Sequence, residues 1–251
     1  MKLFLDIGNT AMKWRSRGVT GVEGGGWAHG RDWQPLVQRL AEQLGGGQVS
    51  ELWVASVAGL EADQDLAQVL QQRLLARPQF YYSSAADAGV RNAYSEPERL
   101  GVDRWLAMIE VHGRHGEAVV IDCGSAMTVD AVTRAGEHLG GYIVPGVQML
   151  RDSLFKGTAR VRVTENVAPS VQLGRSTSAC VEHGLRAMSV GFVEFAIGRC
   201  RAQLSAECPV YLTGGDAEWL RDSLPGGLLH DPDLVLDGFE RVIAARNGEA
   251  P

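Results

Sequence analysis

The sequence contains no apolar run long enough to cross a membrane, no strongly basic segment and few cysteines. A membrane-spanning helix needs about 18 consecutive apolar residues, and no stretch reaches that length. The net charge is −6, from 24 basic and 30 acidic residues, which disfavours nucleic acid as a partner because a phosphate backbone needs a basic face. Met1 and Lys2 directly precede an apolar stretch, without the pattern of a secretory leader. These absences predict a cytoplasmic protein that binds neither nucleic acid nor a membrane.

Motifs built on cysteine and histidine are also lacking. The four cysteines form no Cys-x-x-Cys pair, and no cysteine–histidine cluster has zinc-ligand spacing. We expect reduced thiols, with Cys123 packed in the core as a small hydrophobe. The six histidines are scattered, with no His-Glu-x-x-His motif and no Ser/His/Asp arrangement. The hydrophobic content of 45% over 251 residues is that of a folded protein with one large domain or two of ordinary size.

One sequence motif is present twice. Near the N-terminus an apolar run leads into Asp6, Gly8 and Asn9, and in mid-chain another leads into Asp122, Gly124 and Ser125. Each apolar run predicts a buried strand that ends at the aspartate, and each glycine permits a turn that lets backbone approach a ligand. We call these segments the first and second corners. A carboxylate, backbone N–H groups and short polar side chains at a strand end suit a metal-bound phosphate.

The order of predicted elements is that of an α/β protein with two related halves. Each half begins with three strands that carry a corner and then adds helices. Between them we place the boundary at a polar, glycine-bearing stretch, which predicts domains at 1–115 and 116–251. Pro97 is predicted to open a helix that runs to about Arg114.

Each corner has a functional and a plain interpretation. In the first corner the turn would cradle the β- and γ-phosphates, Asp6 would face the metal ion and Lys13 would neutralise phosphate charge. In the second corner Asp122 and Ser125 would add a phosphate and cation contact, with Thr128 and Asp130 as further candidates. The plain interpretation is an ordinary β-hairpin in each case. Because the corner is present twice, we favour the functional interpretation over the ordinary hairpin.

Two further features are weaker by themselves. The stretch Thr213–Ala217, with Gly214, Gly215 and Asp216, predicts a strand–helix turn whose flat backbone could receive an adenine or a ribose; the alternative is a loop with Asp216 as the helix N-cap. Asp103 and Arg104 are adjacent charges in an apolar helix. They fit a catalytic base beside a fork for a substrate carboxylate, or equally a structural ion pair.

Taken together, these residues resemble the acetate and sugar kinase/Hsp70/actin superfamily, and more narrowly the type III pantothenate kinases. The segments that carry the resemblance span nearly the whole chain: Asp6–Thr10 with Lys13, Asn92–Tyr94, Gly101–Arg104, Asp122–Ala126, Gly140–Gly146 and Thr213–Ala217. It implies two actin-like (ribonuclease H-like) domains, each a mixed sheet flanked by helices, with a cleft between them. It also implies transfer of phosphate from ATP to pantothenate, the first step of coenzyme A biosynthesis.

The resemblance implies roles for single residues. Asp103 would accept the proton of the pantothenate hydroxyl, Asp122 would bind a monovalent cation (K⁺ or NH₄⁺), and Ser125 would contact ATP with Mg²⁺. The ATP phosphates would lie on Asp6, Ile7, Gly8, Asn9, Thr10, Ala11, Met12 and Lys13. Pantothenate would contact Tyr94, Gly101, Val102, Asp103, Arg104 and, from the partner subunit of a homodimer, Thr177.

One position departs from the family, and two rival functions stay open. The family usually has threonine where this chain has Ser125, which keeps the hydroxyl and loses the methyl group. One rival is a kinase of the same superfamily that acts on another small alcohol or a sugar. The other is a non-catalytic nucleotide-binding regulatory protein, which would not need Asp103.

Overall fold

The computed structural model describes residues 1–18, 21–158 and 160–249. Within those ranges no helix is long and apolar enough to span a bilayer. The chain divides into two compact units. Unit 1 comprises residues 1–88, 94–110 and the stretch from Leu234 onward, and unit 2 comprises residues 89–93 and 111–233. The predicted domains at 1–115 and 116–251 stay a prediction, and the units differ from them chiefly in placing the last helix with the N-terminal strands.

The described residues form twelve strands and seven α-helices. The strands are β1 (Lys2–Ile7), β2 (Ala11–Gly18), β3 (Gly21–Ala28), β4 (Glu51–Ser56), β5 (Pro78–Tyr81), β6 (Ala86–Asp87), β7 (Val90–Arg91), β8 (Ala118–Cys123), β9 (Ala126–Val132), β10 (His138–Pro145), β11 (Val210–Thr213) and β12 (Leu229–His230). The helices are α1 (Trp33–Gln43), α2 (Leu60–Leu74), α3 (Val102–His115), α4 (Val147–Gly157), α5 (Thr177–Arg201), α6 (Ala217–Arg221) and α7 (Leu234–Asn247).

Unit 1 is built on a five-stranded sheet with the order β3-β2-β1-β4-β5. The pairs β1–β2 and β2–β3 are antiparallel, whereas β1–β4 and β4–β5 are parallel. Because side chains alternate along a strand, Leu3, Leu5 and Ile7 of β1 enter a core cluster with the apolar faces of α1 and α2. Asp6 therefore lies on the opposite face of the sheet.

Helix α7 and the part of α3 up to Glu110 belong to unit 1, on the side opposite α1 and α2. The Phe239 ring of α7 meets Phe4 of β1 edge to face, with 5.4 Å between ring centroids. The two helices approach closely because position 238 is glycine: a Cβ there would lie 2.0 Å from the Leu106 carbonyl oxygen. Arg241 then pairs with Glu110 through two hydrogen bonds of 2.7 and 3.1 Å. This packing fixes the helix that carries Asp103.

Unit 2 repeats the arrangement of unit 1. Its sheet has the order β10-β9-β8-β11-β12, and again the first two pairs are antiparallel and the last two parallel. Val119, Ile121 and Cys123 of β8 enter a core cluster with α5 and α6, which leaves Asp122 on the other face. The duplication predicted from element order is thus present in the strand topology.

The helix predicted to begin at Pro97 begins later. Pro97–Arg99 forms one 3₁₀ turn, and Leu100 is extended (φ −72°, ψ 129°). A new helix, α3, begins at Val102. The extended backbone of Leu100 interrupts the helix, and buried Ser83 donates a hydrogen bond of 2.8 Å to the Leu100 carbonyl. The interruption places Gly101–Arg104 at a helix start.

Candidate active site

The first corner is a tight turn between β1 and β2. Its strands keep Asp6 opposite Lys13 and Ile7 opposite Met12, and the turn is closed by a hydrogen bond of 2.9 Å from the Gly8 N–H to the Ala11 carbonyl. Ile7 and Met12 are fully buried. Asp6 and Lys13 therefore share the sheet face that points away from the α1–α2 core, beside an exposed polar turn.

Asp103 lies in the first turn of α3, close to Gly101. Its Oδ1 accepts a hydrogen bond of 2.8 Å from the Arg104 backbone N–H. A Cβ at position 101 would lie 2.5 Å from this oxygen, so the glycine makes room for the carboxylate. Placement at a helix N-terminus favours the charged form of an acidic side chain, which is the form that can accept a proton.

Arg104 is buried, at 7% exposure, and contacts Tyr94. Its Nη1 donates to the Tyr94 hydroxyl at 3.1 Å, and its guanidinium lies 5.9 Å from the centre of that ring. Tyr94 and Arg104 are predicted pantothenate contacts from two separate segments of the sequence. The structure brings these two residues together within unit 1.

The second corner is built around the Asp122 carboxylate and two glycines. A Cβ at Gly214 would lie 2.3 Å from Asp122 Oδ1, and one at Gly124 would lie 3.4 Å from it. Gly214 has φ +91°, which favours glycine. The turn is closed by the Gly124 N–H, which donates to the Ala126 carbonyl at 3.1 Å, and the Asp216 N–H donates to the Cys123 carbonyl at 2.8 Å. The predicted Gly214–Gly215 feature thus meets the second corner.

Ser125 is held by Gly146, which directly follows the last residue of β10, Pro145. The Ser125 carbonyl accepts a hydrogen bond of 3.0 Å from the Gly146 N–H. A Cβ at Gly146 would lie 2.2 Å from the Gly124 carbonyl oxygen and 2.6 Å from that of Ser125. Only glycine allows this approach, which explains why the Gly140–Gly146 segment accompanies the corner.

Three residues near Asp122 differ in their burial and hydrogen bonds, and two of them have shifted pKa values. Cys123 is buried in the core as predicted, and burial raises the pKa of its thiol. Burial also raises the pKa of Asp216, which the Arg151 charge opposes; Asp216 occupies the N-cap position of α6 without a side-chain capping bond. Thr213, which pairs with Asp122 in the sheet, is 1% exposed, and its Oγ1 has no hydrogen-bond partner among the residues that the structure describes.

Asp130 and Thr177 lie away from the second corner's turn. Asp130 is buried and pairs with His138 at 3.0 Å. Thr177 is the first residue of α5, after the N-cap Ser176, whose Oγ accepts from the Ala179 N–H at 3.2 Å. It lines an open cavity of about 830 Å³ together with Leu154 and Met188.

Comparison with known proteins decides the family. A family model described as type III pantothenate kinase matches residues 2–199. The chain belongs to the type III pantothenate kinase family. A type III pantothenate kinase of Alcanivorax borkumensis is 50% identical over 244 residues, covering 97% of this chain and 99% of the relative. One from Pseudomonas aeruginosa is 37% identical over 248 residues, covering 95% and 97%. The predicted family and the predicted enzyme class, a kinase, are confirmed.

Two solved structures share the fold of this chain. A protein provisionally named 2-dehydro-3-deoxygalactonokinase from Sinorhizobium meliloti has a TM-score of 0.65 at 12% identity, covering 98% of this type III pantothenate kinase family member and 99% of that chain. The activator of 2-hydroxyisocaproyl-CoA dehydratase from Clostridium difficile, solved with bound ADPNP, has a TM-score of 0.51 at 11% identity, covering 100% and 98%. At these identities the likeness concerns the fold, and it confirms the predicted actin-like α/β class.

Two residues that shape the site are not predicted from the sequence. Ser83 holds Leu100 next to the Gly101–Arg104 turn, and His29 bonds the first corner. A lone serine or histidine carries no spacing pattern, so only the folded chain reveals these contacts.

Proposed function

We propose that this chain transfers the γ-phosphoryl group of ATP to pantothenate, giving 4′-phosphopantothenate and ADP, the first step of coenzyme A biosynthesis. The observation that carries the proposal is the Asp103 carboxylate in the first turn of α3, beside the Arg104–Tyr94 pair. Family membership supports the substrates. We also propose that the protein is located in the cytoplasm, because the proposed reaction uses ATP and begins coenzyme A synthesis.

In the proposed reaction Asp103 takes the proton from the pantothenate hydroxyl. The oxygen then attacks the γ-phosphorus as the bond to the β-phosphate oxygen breaks, and ADP leaves. Arg104, oriented by Tyr94, offers a fork of donors for the pantothenate carboxylate, while Gly101 and Val102 line the same end of α3. Phosphoryl transfer depends on alignment and charge neutralisation more than on covalent chemistry, which suits this small set of groups.

We propose that the segment Asp6–Lys13 holds the ATP phosphates. Turn amides and the Lys13 ammonium would neutralise phosphate charge. For Ser125 of the second corner we propose a hydroxyl contact with ATP. The oxygen donors of Asp6, on the polar face of β1, fit a Mg²⁺ ion, which prefers such ligands. When bound, Mg²⁺ offsets the charge of the β- and γ-phosphates.

The second corner fits a monovalent cation. The Asp122 carboxylate lies where two glycines leave open space, and the buried Thr213 hydroxyl supplies an oxygen that lacks a partner among the described residues. A buried polar atom without a partner is costly, and a cation between these oxygens would offset that cost. We propose that Asp122 and Thr213 hold K⁺ or NH₄⁺ and thereby counter the negative charge of ATP.

We also propose a homodimer, supported by an apolar face on unit 2. Tyr142 and Ile143 of the edge strand β10 and Met188 and Phe195 of α5 are exposed, and the Tyr142 ring packs against that of Phe195 at 6.4 Å. Isologous pairing of such a face is the common route to a dimer. Thr177 begins the same helix, and we propose that the partner's copy of this residue contacts pantothenate.

Light scattering is expected to give twice the chain mass of 27.1 kDa. Phe195→Glu is expected to shift this to the mass of one chain, because a buried unpaired charge opposes association. Glu194→Gln, an exposed neighbour, serves as the control and is expected to stay dimeric. A wild-type chain with the mass of one copy would contradict the dimer.

The reaction is tested by an ATP-consumption screen of the purified chain against pantothenate and a panel of sugars, with K⁺ present and absent. We expect ADP formation with pantothenate only, and a marked fall without K⁺. Phosphorylation of a hexose with indifference to pantothenate would support the rival sugar kinase instead. ATP binding with slow turnover on every acceptor would support the regulatory protein.

A further inference from the structure

His29 follows β3 and bonds the first corner twice. Its backbone N–H donates to the Thr10 carbonyl at 2.8 Å, and its ring Nε2 lies 3.1 Å from the Gly8 carbonyl oxygen. Both acceptors belong to the turn between β1 and β2. One residue from outside the turn therefore contacts the peptide groups on either side of the Asn9–Thr10 pair.

The surroundings of His29 fix which ring nitrogen carries the proton. A carbonyl oxygen only accepts, so Nε2 is the donor to Gly8. The Arg31 N–H points at Nδ1 at 3.4 Å, which makes Nδ1 an acceptor. The ring also packs against Trp33 at the start of α1, with 4.9 Å between centroids. These contacts orient the ring so that its Nε2–H is directed at the turn.

Fixing these two carbonyls also fixes two amides. In a trans peptide the C=O of one residue and the N–H of the next point in opposite directions within one plane. Holding the Gly8 carbonyl toward His29 therefore turns the Asn9 N–H to the other side, and holding the Thr10 carbonyl does the same for the Ala11 N–H. A carbonyl turned toward an anion would repel it, whereas a backbone N–H turned toward it attracts it.

We propose that His29 is a positioning residue for ATP: its ring N–H keeps the Gly8–Asn9 peptide oriented so that turn amides face the phosphates. This inference rests on the proposed function of the first corner. It concerns ATP alone and is independent of which alcohol accepts the phosphate. His29 itself touches no substrate.

Two substitutions distinguish the effect of the N–H donor from that of the aromatic ring. His29→Phe keeps an aromatic ring against Trp33 and removes the donor to Gly8. His29→Gln removes the ring and retains an N–H at a similar reach. If His29 acts through its N–H, the glutamine variant retains ATP affinity and the phenylalanine variant loses it; a role in packing alone predicts the reverse order.

The test measures the Kd for ATP by calorimetry and the KM values for ATP and pantothenate, with thermal unfolding as a check on the fold. His29→Phe is expected to raise the Kd and KM for ATP about tenfold, the scale of one well-placed hydrogen bond, with the KM for pantothenate within about twofold of wild type. His115→Phe is the matched control, because the Nε2 of the His115 ring also makes a hydrogen bond, with the Tyr211 hydroxyl at 2.8 Å, and His115 lies outside the corner. It is expected to leave the ATP constants unchanged.

Unchanged ATP affinity in a folded His29→Phe chain would overturn the inference, as would equal losses in the phenylalanine and glutamine variants. Should His29→Phe fail to fold, His29→Asn replaces it, because its shorter side chain places no N–H at Gly8, and the same criteria apply. If the wild-type chain binds ATP but phosphorylates another alcohol, the proposed function is wrong. The ATP affinities of the His29 variants would still test the role of His29. A wild-type chain that does not bind ATP defeats both the proposed function and this role.

Discussion

Asp103→Asn is expected to lower kcat for pantothenate phosphorylation about 1,000-fold, within the range that general bases contribute. The amide is nearly the same size as the carboxylate, and its oxygen can still accept from the Arg104 backbone N–H at 2.8 Å. The fold and the start of α3 are therefore retained, while the group that takes the hydroxyl proton is lost. The measurement is steady-state kinetics with both substrates, and the KM values are expected to stay within a few-fold of wild type.

Asp65→Asn provides the control for this loss. Asp65 is an exposed residue of α2 in the same unit, so the same chemical change there is expected to leave kcat unaltered. Near-normal transfer by a folded Asp103→Asn chain would remove Asp103 from the role of base. It would also favour a reaction driven by positioning and phosphate neutralisation alone.

Gly214→Ala is expected to lower kcat/KM for ATP about 100-fold, the effect typical of a displacement of about 1 Å in a catalytic group. The new Cβ would lie 2.3 Å from Asp122 Oδ1 and 2.5 Å from the Cys123 carbonyl oxygen, so the carboxylate or the turn has to move. The backbone at φ +91° adds strain for any residue with a Cβ, on the order of 1–3 kcal/mol in the free energy of unfolding.

The adjacent Gly215 offers a close control. A Cβ there meets nothing within 4 Å, so Gly215→Ala is expected to keep both activity and stability. Kinetics with a K⁺ titration distinguish the two variants, because displacement of Asp122 is expected to weaken activation by K⁺. Equal behaviour of Gly214→Ala and Gly215→Ala would contradict the assignment of a cation site at Asp122.

The fold was predictable because its signals are local and repeated. Two apolar strands ending in Asp-x-Gly, each followed by two further strands and then helices, predict two sheets of the same design, and both sheets have the same strand order. The start of α3 differs from the prediction for a physical reason. Pro97 is a favourable first helical residue, yet Leu100 is extended and its carbonyl bonds Ser83. No local pattern indicates a partner 17 residues away.

The candidate site was predictable where its chemistry depends on contiguous residues. Asp6–Lys13 spans the ends of two paired strands and the turn between them, and Gly101–Arg104 lies at the start of a helix. The polar groups of each segment therefore lie together as soon as the strands and the helix are assigned. The contacts of Gly214 with Asp122, of Gly146 with Ser125 and of His29 with Gly8 join segments that are distant in sequence. They depend on parallel strand pairing and on loop packing, which the sequence specifies only through the whole fold.

The most direct test of an Asp103-dependent transfer to pantothenate is mass spectrometry of the products formed by the wild-type chain and by Asp103→Asn, side by side, with ATP, Mg²⁺ and K⁺. The account predicts that 4′-phosphopantothenate accumulates in step with ADP for the wild-type chain and stays near background for the variant. ADP formed without phosphopantothenate, or phosphopantothenate formed equally fast by both chains, would contradict it.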